Sequence, residues 1–324
     1  MLSISEYREA FVEYLEEKVV TREPVNLYEP ITYILNLGGK RLRPVLVLMT
    51  AEIFDSSYKN ALDAALAIEV FHNFSLVHDD IMDAAPLRRG KETVHEKWDL
   101  NTGILSGDAM LINAYQLFEN YDGVIFKELA QLFTKTAIEV CEGQQYDIDF
   151  ESREDVKISD YLKMIEFKTA VLVGASLQMG AIVAEAPEEC KRAMYEFGRL
   201  LGIAFQLQDD YLDAFGDPES FGKQLGGDII ENKKTFLYLT ALQKASEAEA
   251  KQLEHLYSIS PMDASGKIEA VKGIFEQSGA SNLAREEIKK YTKEAFDVLD
   301  KIQVPADKKL LLRKFGESLM DRQV

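Results

Sequence analysis

The chain carries DDIMD at residues 79–83 and DDYLD at residues 209–213, each within a strongly apolar helical stretch. Residues four apart share one face of a helix, which places Asp79 beside Asp83 and Asp209 beside Asp213. Neighbouring carboxylates repel one another and resist burial. Two such clusters with the same spacing predict that cations neutralise them. Carboxylate oxygens without Cys or His partners favour Mg²⁺, which keeps waters and accepts substrate phosphates as further ligands.

Outside these clusters, helical periodicity extends over most of the 324 residues, and strand-like alternation is nearly absent. Apolar spacing at i, i+3 and i+4 predicts helices over 61–83, 104–120, 125–149, 159–184, 187–215 and 233–246. Ser159 and Asp160 are predicted to cap the helix 159–184, and Gly216 is predicted to end the helix 187–215. Small residues at 174–180 and 198–204 indicate either close helix packing or a cavity between helices. Without a linker or repeat, we predict one all-α domain over residues 1–324.

Composition excludes several classes of protein. The net charge of −18 argues against nucleic acid as the main partner. Cys141 and Cys190 lack the spacing of metal ligands and are interpreted as free thiols in a reducing compartment. The N-terminal segment is an acidic amphipathic helix rather than a signal peptide, and no apolar run reaches the ~18 residues of a membrane span. We therefore expect a cytoplasmic protein with no membrane span.

Basic residues are concentrated in several segments outside the two aspartate clusters. They are GGKRLRP at 38–44, just before a helix predicted to start near Pro44, LRRG at 87–90, Lys168-Thr169 inside an apolar helix, Gly222-Lys223, and NKKT at 232–235. Arg offers two parallel donors to a phosphate, and Lys offers a point charge. Each segment alone is typical of a solvated surface. Together with two aspartate clusters, they predict a site that holds two polyanions at once.

These pieces, in this order, resemble the trans-isoprenyl diphosphate synthases, the polyprenyl synthetase family, and in particular its short-chain farnesyl and geranylgeranyl diphosphate synthases. The matching motifs are GGKRLRP (38–44), HNFSLVHDDIMD (72–83), LRRG (87–90), FKT (167–169), FQLQDDYLDAFGD (205–217), FGK (221–223) and NKKT (232–235). The resemblance implies an all-α isoprenoid synthase bundle around a deep central cavity, usually as a homodimer. It implies a Mg²⁺-dependent prenyltransferase that condenses isopentenyl diphosphate with dimethylallyl, geranyl or farnesyl diphosphate.

The resemblance also assigns roles to individual residues. It implies that three Mg²⁺ ions are bound, two by Asp79 and Asp83 and the third with the help of Asp209, and Asp213 is placed with these metal ligands. It implies supporting roles for Asp80 and Asp210. The expected substrate contacts are Arg88, Lys168, Lys223 and Lys233 for the allylic diphosphate, Lys40, Arg43, His72 and Arg89 for isopentenyl diphosphate, and Thr169 and Gln206 at the reacting centre. The catalytic set is Asp79, Asp80, Asp83, Lys168, Thr169, Gln206 and Asp209.

Product length is expected to depend on the helix upstream of Asp79, along which the growing tail should run. Phe74 and Phe71 lie five and eight positions before Asp79, and Ser75 is a small residue four positions before it. The first cluster lacks the two-residue insertion of many bacterial farnesyl synthases. We predict a product of fifteen to twenty carbons, closer to twenty. The alternative is that both rings only pack in the core.

Two other functions share parts of this pattern. A class I terpene cyclase has the same fold and a DDxxD cluster, but generally lacks the second aspartate cluster and the second diphosphate site. A non-catalytic subunit of a heteromeric prenyl synthase usually loses cluster residues, and this chain keeps all of them. A turnover assay with and without isopentenyl diphosphate distinguishes the cyclase, and activity of the purified single chain distinguishes the subunit.

Overall fold

A computed structural model describes residues 1–217 and 225–320. The chain divides into two compact units. Unit 1 comprises Met1–Thr136, Ala175–Tyr195 and Gln303–Lys309, and unit 2 comprises Ala137–Gly174, Glu196–Ile302 and Leu310–Val324 as far as they are described. The all-α class is confirmed, because the described residues form helices apart from one short hairpin. That residues 1–324 form one domain stays a prediction.

The helices follow the predicted segments closely. Their bounds are α1 Ile4–Lys18, α2 Val25–Asn36, α3 Leu42–Ile53, α4 Leu62–Met82, α5 Val94–Lys97, α6 Leu100–Gln116, α7 Gly123–Ser152, α8 Ile158–Ile165, α9 Val171–Val183, α10 Glu188–Phe215, α11 Gly227–Ile230, α12 Phe236–Lys244, α13 Glu247–Leu256, α14 Ser265–Gln277, α15 Ala280–Lys301 and α16 Ala306–Met320. Short 3₁₀ turns occupy Tyr58–Ala61 and Leu117–Asn120, and a π-helical turn occupies Glu166–Ala170.

In unit 1, α4 is the central helix of the core and carries the first aspartate cluster at its C-terminal end. Its residues from Ala64 to Phe71 are all buried, and all of them except Glu69 are apolar. Helix α6 packs closely against α4. A Cβ atom at Gly103 would lie 2.9 Å from Ile81 Cδ1, and one at Gly107 would lie 2.3 Å from His78 Nε2. These glycines, four apart, therefore permit the close packing that holds the cluster-bearing end of α4.

A two-stranded hairpin follows the first cluster, with β1 at Leu87–Arg88 paired antiparallel to β2 at Lys91–Glu92. Arg89 and Gly90 form its turn, both with positive φ, 53° and 74°. The positive φ at the second turn position favours glycine, which is Gly90 here. The hairpin presents the two consecutive arginines, Arg88 and Arg89, from a defined backbone.

In unit 2, the π-helical turn interrupts the predicted helix 159–184 at Lys168 and Thr169. A Cβ atom at Gly143 would lie 2.2 Å from the Lys168 backbone nitrogen, and one at Gly202 would lie 2.7 Å from Ala170 Cα. Glycine in α7 and α10 therefore allows both helices to approach this turn, which supports the close-packing interpretation of the small residues there. Such turns often occur at functional sites.

Two boundary predictions have clear outcomes. Helix α10 ends at Phe215, directly before the predicted stop at Gly216. The capping prediction at 159–160 is wrong for Ser159, because Lys157 is the N-cap residue and Ser159 lies inside α8. Asp160 does cap, since its carboxylate accepts the Lys157 backbone N–H at 3.1 Å.

Among the described residues, the helical stretch Ile158–Val183 is long and apolar enough to cross a membrane by length and composition. Of its most apolar window, 67% is buried inside the protein, as in the core helix of a folded domain. The expected absence of a membrane span stays a prediction. Cys141 and Cys190 are both free thiols, as predicted.

Candidate active site

The second aspartate of the first cluster is bound by an arginine of the hairpin. Arg88 Nε donates to Asp80 Oδ1 at 2.8 Å and Oδ2 at 2.9 Å, and Arg88 Nη2 donates to Oδ1 at 2.5 Å. Burial raises the pKa of Asp80 above its ordinary value, although Arg88 opposes the shift. Asp80 therefore positions Arg88, and its supporting role at the site stays a prediction. Arg88 Nη2 also lies 3.8 Å from Asp79 Oδ2.

Asp79 and Asp83 lie one turn apart at the C-terminal end of α4. Asp83 is the C-cap residue, and its backbone N–H donates to the Asp79 carbonyl at 2.9 Å. The Asp79 side chain is 20% exposed, whereas the Asp80 side chain is 1% exposed. The Asp79 side chain is thus partly accessible from outside the protein, although its Oδ1 is buried.

Near the GGKRLRP motif, unit 1 gathers positive charge around His72. Arg43 Nη1 and His72 Nε2 are 3.2 Å apart. Burial first, and then the charges of Arg43, Arg89, Arg88 and Arg41, hold the pKa of His72 well below its ordinary value. His72 is therefore neutral at pH 7 and can accept a hydrogen bond from Arg43.

The arginines around His72 have different partners. Burial lowers the pKa of Arg43, and its Nε is buried without a hydrogen-bond partner in the described residues. Arg89 donates to the Gly38 carbonyl and stacks over Gly39, where a Cβ would be 3.0 Å from the guanidinium. Lys40 is exposed. The residues predicted to contact isopentenyl diphosphate therefore form a cluster of cations. Within it, Arg43 Nε is a donor that could bind an anion.

Arg41, inside the same motif, has a structural role instead. It is 6% exposed, forms an ion pair with buried Glu69 and donates to the Leu35 carbonyl. Asn73 Nδ2 donates to the same glutamate at 3.1 Å. A buried, fully bonded ion pair fixes the start of α3, where Arg41 itself has φ 52°. The expected substrate contacts in this motif are Lys40 and Arg43, and Arg41 is not among them.

In unit 2, five of the predicted residues line a cavity of about 120 Å³, namely Lys168, Thr169, Gln206, Asp210 and Lys233, whereas Asp209 and Asp213 are not in its lining. Its lining residues are Asp147, Phe150, Glu151, Tyr161, Met164, Ile165, Lys168, Thr169, Gln206, Asp210, Asp228, Asn232, Lys233, Lys234 and Thr235. Lys168 Nζ lies 2.6 Å from Asp147 Oδ2, with both side chains partly exposed. The π-helical turn thus directs Lys168 and Thr169 into one polar cavity, as the apolar surroundings of Lys168 in the sequence suggested.

A chain of hydrogen bonds orients the side chains of this cavity. Thr169 Oγ1 donates to Gln206 Oε1 at 3.1 Å, and Gln206 Nε2 donates to Asp210 Oδ1 at 2.8 Å. Tyr161 OH donates to Asp210 Oδ2 at 2.7 Å. Burial raises the pKa of Asp210 to about 7, with Asp209 and Asp213 adding to the shift. Thr169 and Gln206 therefore lie together, as predicted, and the second cluster fixes their orientation.

The remaining aspartates of unit 2 extend this acidic region. Asp213 Oδ2 accepts the Asp228 backbone N–H at 3.0 Å. Burial raises the pKa of Asp228 to about 8, and the charges of Asp210 and Asp213 contribute. Burial opposes the charge of Lys233, but Glu231 and Asp147 raise its pKa above the ordinary lysine value. Lys223 lies outside the described residues.

The donor chemistry fits Mg²⁺. Burial, with added repulsion from neighbouring carboxylates, raises the pKa of Asp210 and Asp228, and a bound cation relieves that cost. Among residues 1–217 and 225–320, no three carboxylate, imidazole or thiol groups converge as a complete metal site. Mg²⁺ typically takes one or two protein carboxylates and completes its shell with water and phosphate.

The residues predicted to set chain length lie on α4, N-terminal to the first aspartate cluster. Phe71 is 1% exposed and Phe74 is 8% exposed, with ring centroids 5.5 Å apart. Phe71 also contacts Phe133 of α7 at 5.0 Å between centroids, and Phe74 contacts His78 at 4.8 Å. Ser75 is partly buried, and its hydroxyl donates to the His72 carbonyl at 2.8 Å. The two rings form a continuous aromatic wall.

Three residues of the unit 2 cavity were not identified from the sequence. Asp147 pairs with Lys168, Tyr161 holds Asp210, and Asp228 contacts Asp213. Asp147 and Asp228 lie outside both aspartate clusters, and a single tyrosine among 14 gives no local signal. The one available indication was that Lys168, inside an apolar helix, needs a carboxylate partner, which is Asp147.

Comparison with known proteins agrees with this arrangement. A family model described as polyprenyl synthetase matches residues 24–275. The chain belongs to the polyprenyl synthetase family. The resemblance recognised in the motifs is thereby confirmed, and the chain is a prenyltransferase of the short-chain trans-isoprenyl diphosphate synthase type.

Relatives within the family cover nearly the whole chain. A geranylgeranyl diphosphate synthase of Methanosarcina mazei is 36% identical over 92% of this chain and 91% of its own length. A geranylfarnesyl diphosphate synthase of Natronomonas pharaonis is 36% identical over 99% of this chain and 97% of its own. A crystal structure of a geranylgeranyl pyrophosphate synthase has a TM-score of 0.96 at 52% identity, covering both chains fully. A further one from Pyrococcus horikoshii has a TM-score of 0.92 at 32% identity, covering 99% of this chain and 97% of its own.

Proposed function

We propose that this prenyltransferase condenses isopentenyl diphosphate with dimethylallyl, geranyl or farnesyl diphosphate to give an all-trans product of about twenty carbons. The observation that carries the proposal is the pairing of each polyanion-binding region with its own aspartate cluster. Unit 1 provides Arg43, His72 and Arg89, and unit 2 provides Lys168 and its cavity. Neither a cyclase nor a non-catalytic subunit requires both sets.

The reaction breaks the allylic C–O bond, and the isopentenyl double bond attacks the resulting carbocation before a proton is lost. Lys168, Thr169, Gln206 and Lys233 are proposed to hold the allylic diphosphate, with Arg88 positioned by Asp80. Preorganised cations aimed at the leaving diphosphate stabilise the charge that develops as the bond breaks. Lys40, Arg43 and Arg89 are proposed to hold isopentenyl diphosphate, with neutral His72 as an acceptor that orients Arg43.

Mg²⁺ is proposed as the cofactor, with three ions per site, held by Asp79, Asp83, Asp209 and Asp213. Bound there, it supplies Lewis-acid stabilisation of the diphosphate charge. The protein's own contribution is to keep Asp80 and Asp210 engaged with Arg88, Tyr161 and Gln206, so that these two carboxylates are committed to positioning.

A product near twenty carbons is supported by the aromatic wall and by the geranylgeranyl synthases among the relatives. Mass spectrometry of products made by the purified chain from isopentenyl diphosphate and each allylic starter tests the function. A prenyl diphosphate formed only when isopentenyl diphosphate is present supports it. A cyclic hydrocarbon formed from an allylic diphosphate alone, or no turnover by the pure chain, refutes it.

A cytoplasmic homodimer is also proposed. Helix α6 exposes Leu100, Ile104, Leu105 and Ile112, of which Leu105 and Ile112 are each 60% exposed and seven residues apart on one face. An apolar face of this kind is typical of an oligomer interface. Leu105→Glu with Ile112→Glu should halve the mass measured by light scattering, whereas Glu9→Lys on α1 should not. A wild-type chain that is monomeric at micromolar concentration contradicts the dimer.

A further inference from the structure

Unit 2 contains a second, larger groove of about 750 Å³, separate from the cavity at Lys168. Gln208 and Tyr211 of α10, three residues apart, line one side of it. Asp209 and Asp213, four residues apart, share a different face of the same helix. The groove is therefore outside the proposed reaction site, although it is formed in part by the helix that carries the second aspartate cluster. Its volume lies within the range of small-molecule sites, roughly 300–1,000 Å³.

Helix α15 lines the other side with two parallel rows of residues. Arg285, Lys289 and Lys293 follow each other at intervals of four, as do Ile288, Thr292 and Phe296. Residues four apart stack along one helix face, so that a basic row runs beside a largely apolar one. In a chain of net charge −18, a groove lined by four basic and two acidic side chains is a local reversal of sign.

The charges in the groove are balanced at one end only. Lys293 Nζ lies 2.6 Å from Asp297 Oδ2, and Arg313 Nη2 lies 2.6 Å from Asp300 Oδ1. At the other end, Arg285 Nε donates to the neutral hydroxyl of Tyr211 at 2.8 Å. In the part of the chain that the structure describes, Lys289 has no carboxylate partner. Within residues 1–217 and 225–320, the positive charge without a carboxylate partner is thus at Arg285 and Lys289.

Gln208 adds an unsatisfied polar atom to the same groove. The residue is 5% exposed, and its Nε2 donates to the Met320 carbonyl at 2.7 Å. Its Oε1 is buried and accepts no hydrogen bond from the described residues. An unpaired buried acceptor is unfavourable, and a hydroxyl of a ligand or a bound water can donate the missing hydrogen bond.

We propose that this groove binds a small amphiphilic anion. A phosphate or carboxylate head group lies at Arg285 and Lys289, and an apolar chain lies along Ile288, Phe296 and the ring of Tyr211. Charge-assisted hydrogen bonds fix the head group, and the half-buried apolar row shields the chain from water. A bare inorganic anion lacks the second interaction, and a neutral chain lacks the first.

Isothermal titration of the purified full-length protein tests this with four probes: decyl phosphate, decanoate, decanol and inorganic phosphate. Decyl phosphate or decanoate should bind at least about tenfold more tightly than decanol or inorganic phosphate, equivalent to about 1.4 kcal/mol. Whichever of the two binds more tightly identifies the head group. If neither exceeds the neutral and inorganic probes, the proposal is wrong.

Variants locate the binding. Lys289→Glu reverses the uncompensated charge, and Thr292→Trp fills the groove, and each should weaken decyl phosphate binding at least about tenfold. The matched control is Lys290→Glu, which makes the same charge change on the neighbouring residue, outside the groove and paired with Glu287 at 2.6 Å. Lys290→Glu should bind as the wild type does, provided that circular dichroism shows all three variants folded.

A second control separates this groove from the reaction site. Lys168→Ala alters the cavity in which an allylic diphosphate is proposed to bind, and it should leave the groove unchanged. Decyl phosphate binding that survives Lys168→Ala and is lost in Lys289→Glu or Thr292→Trp supports the proposal. Binding that is lost in Lys168→Ala and kept in both groove variants places the probe in the reaction site and overturns the proposal. This result is independent of whether the chain turns over prenyl substrates.

Discussion

Replacing Phe74 by Ala should lengthen the product by one isoprene unit, and replacing Phe71 as well should lengthen it further. The two residues are three apart on α4, so their rings are separated by about 4.5 Å of helix rise. One isoprene unit spans a similar distance, because four C–C bonds of about 1.5 Å project to roughly 5 Å. Each ring removed from the wall therefore opens room for about one unit. The assay is mass spectrometry of the products from isopentenyl and farnesyl diphosphates.

The substitutions should also reduce stability. Phe71 and Phe74 are 1% and 8% exposed, so each change should cost about 3–5 kcal/mol if the cavity stays empty. The two losses should not add, because the rings contact each other. Phe11→Ala is the matched control, since Phe11 is 0% exposed in α1 and belongs to no predicted site. It should lower the melting temperature and leave product length unchanged. A folded, active Phe71/Phe74 double variant that still makes the wild-type product would refute the reasoning.

Three further outcomes are expected. Asp79→Ala and Asp209→Ala should each lower kcat on the order of 10²-fold with an unchanged circular dichroism spectrum, and near-normal turnover in either would contradict the metal assignment. Mg²⁺ with diphosphate should raise the melting temperature much more than Mg²⁺ alone, because substrate completes the metal shell, and an equal shift from Mg²⁺ alone would exclude a shared shell. Since the pKa of His72 is held below its unfolded value, its neutral form stabilises the fold above about pH 6.5. That stabilisation is lost as the pH falls towards the folded pKa, so the unfolding free energy of His72→Gln should approach that of wild type between pH 7 and 5.5 in urea titrations.

Most of the fold could be predicted from local pattern. Helix α10, predicted over 187–215, is found at Glu188–Phe215, because its apolar period and its flanking residues agree. The π-helical turn at Glu166–Ala170 could not be predicted, since apolar spacing there is compatible with a continuous α-helix. Its position depends on glycines far away in sequence, Gly143 and Gly202, which let neighbouring helices approach. Close approach between distant segments leaves no periodic signal.

For a related reason, the site residues that belong to motifs could be predicted, whereas their partners outside the motifs could not. Motifs with several charged residues at fixed spacing were recognisable, and Thr169 and Gln206 do meet at 3.1 Å. Partners that stand alone in the sequence were missed, as with Tyr161 and Asp147, because their role arises only when the chain folds. Within GGKRLRP, the resemblance assigned substrate binding to Lys40 and Arg43 and no role to Arg41, which is buried against Glu69. Sequence shows that a charge is present, and only burial and partners show whether it is available to a ligand.

The same distinction explains the form of both aspartate clusters. In each, the second aspartate is bound by donors of its own unit: Asp80 by Arg88, and Asp210 by Tyr161 and Gln206. A carboxylate that accepts such bonds is oriented and costly to move, so it can position an arginine or a glutamine beside the substrate. The first and fifth positions share a helix face one turn apart, which suits two carboxylates that ligate cations. We therefore propose that the aspartates of a DDxxD cluster have two roles: the first and fifth ligate metal, and the second orients the side chains that meet the diphosphate.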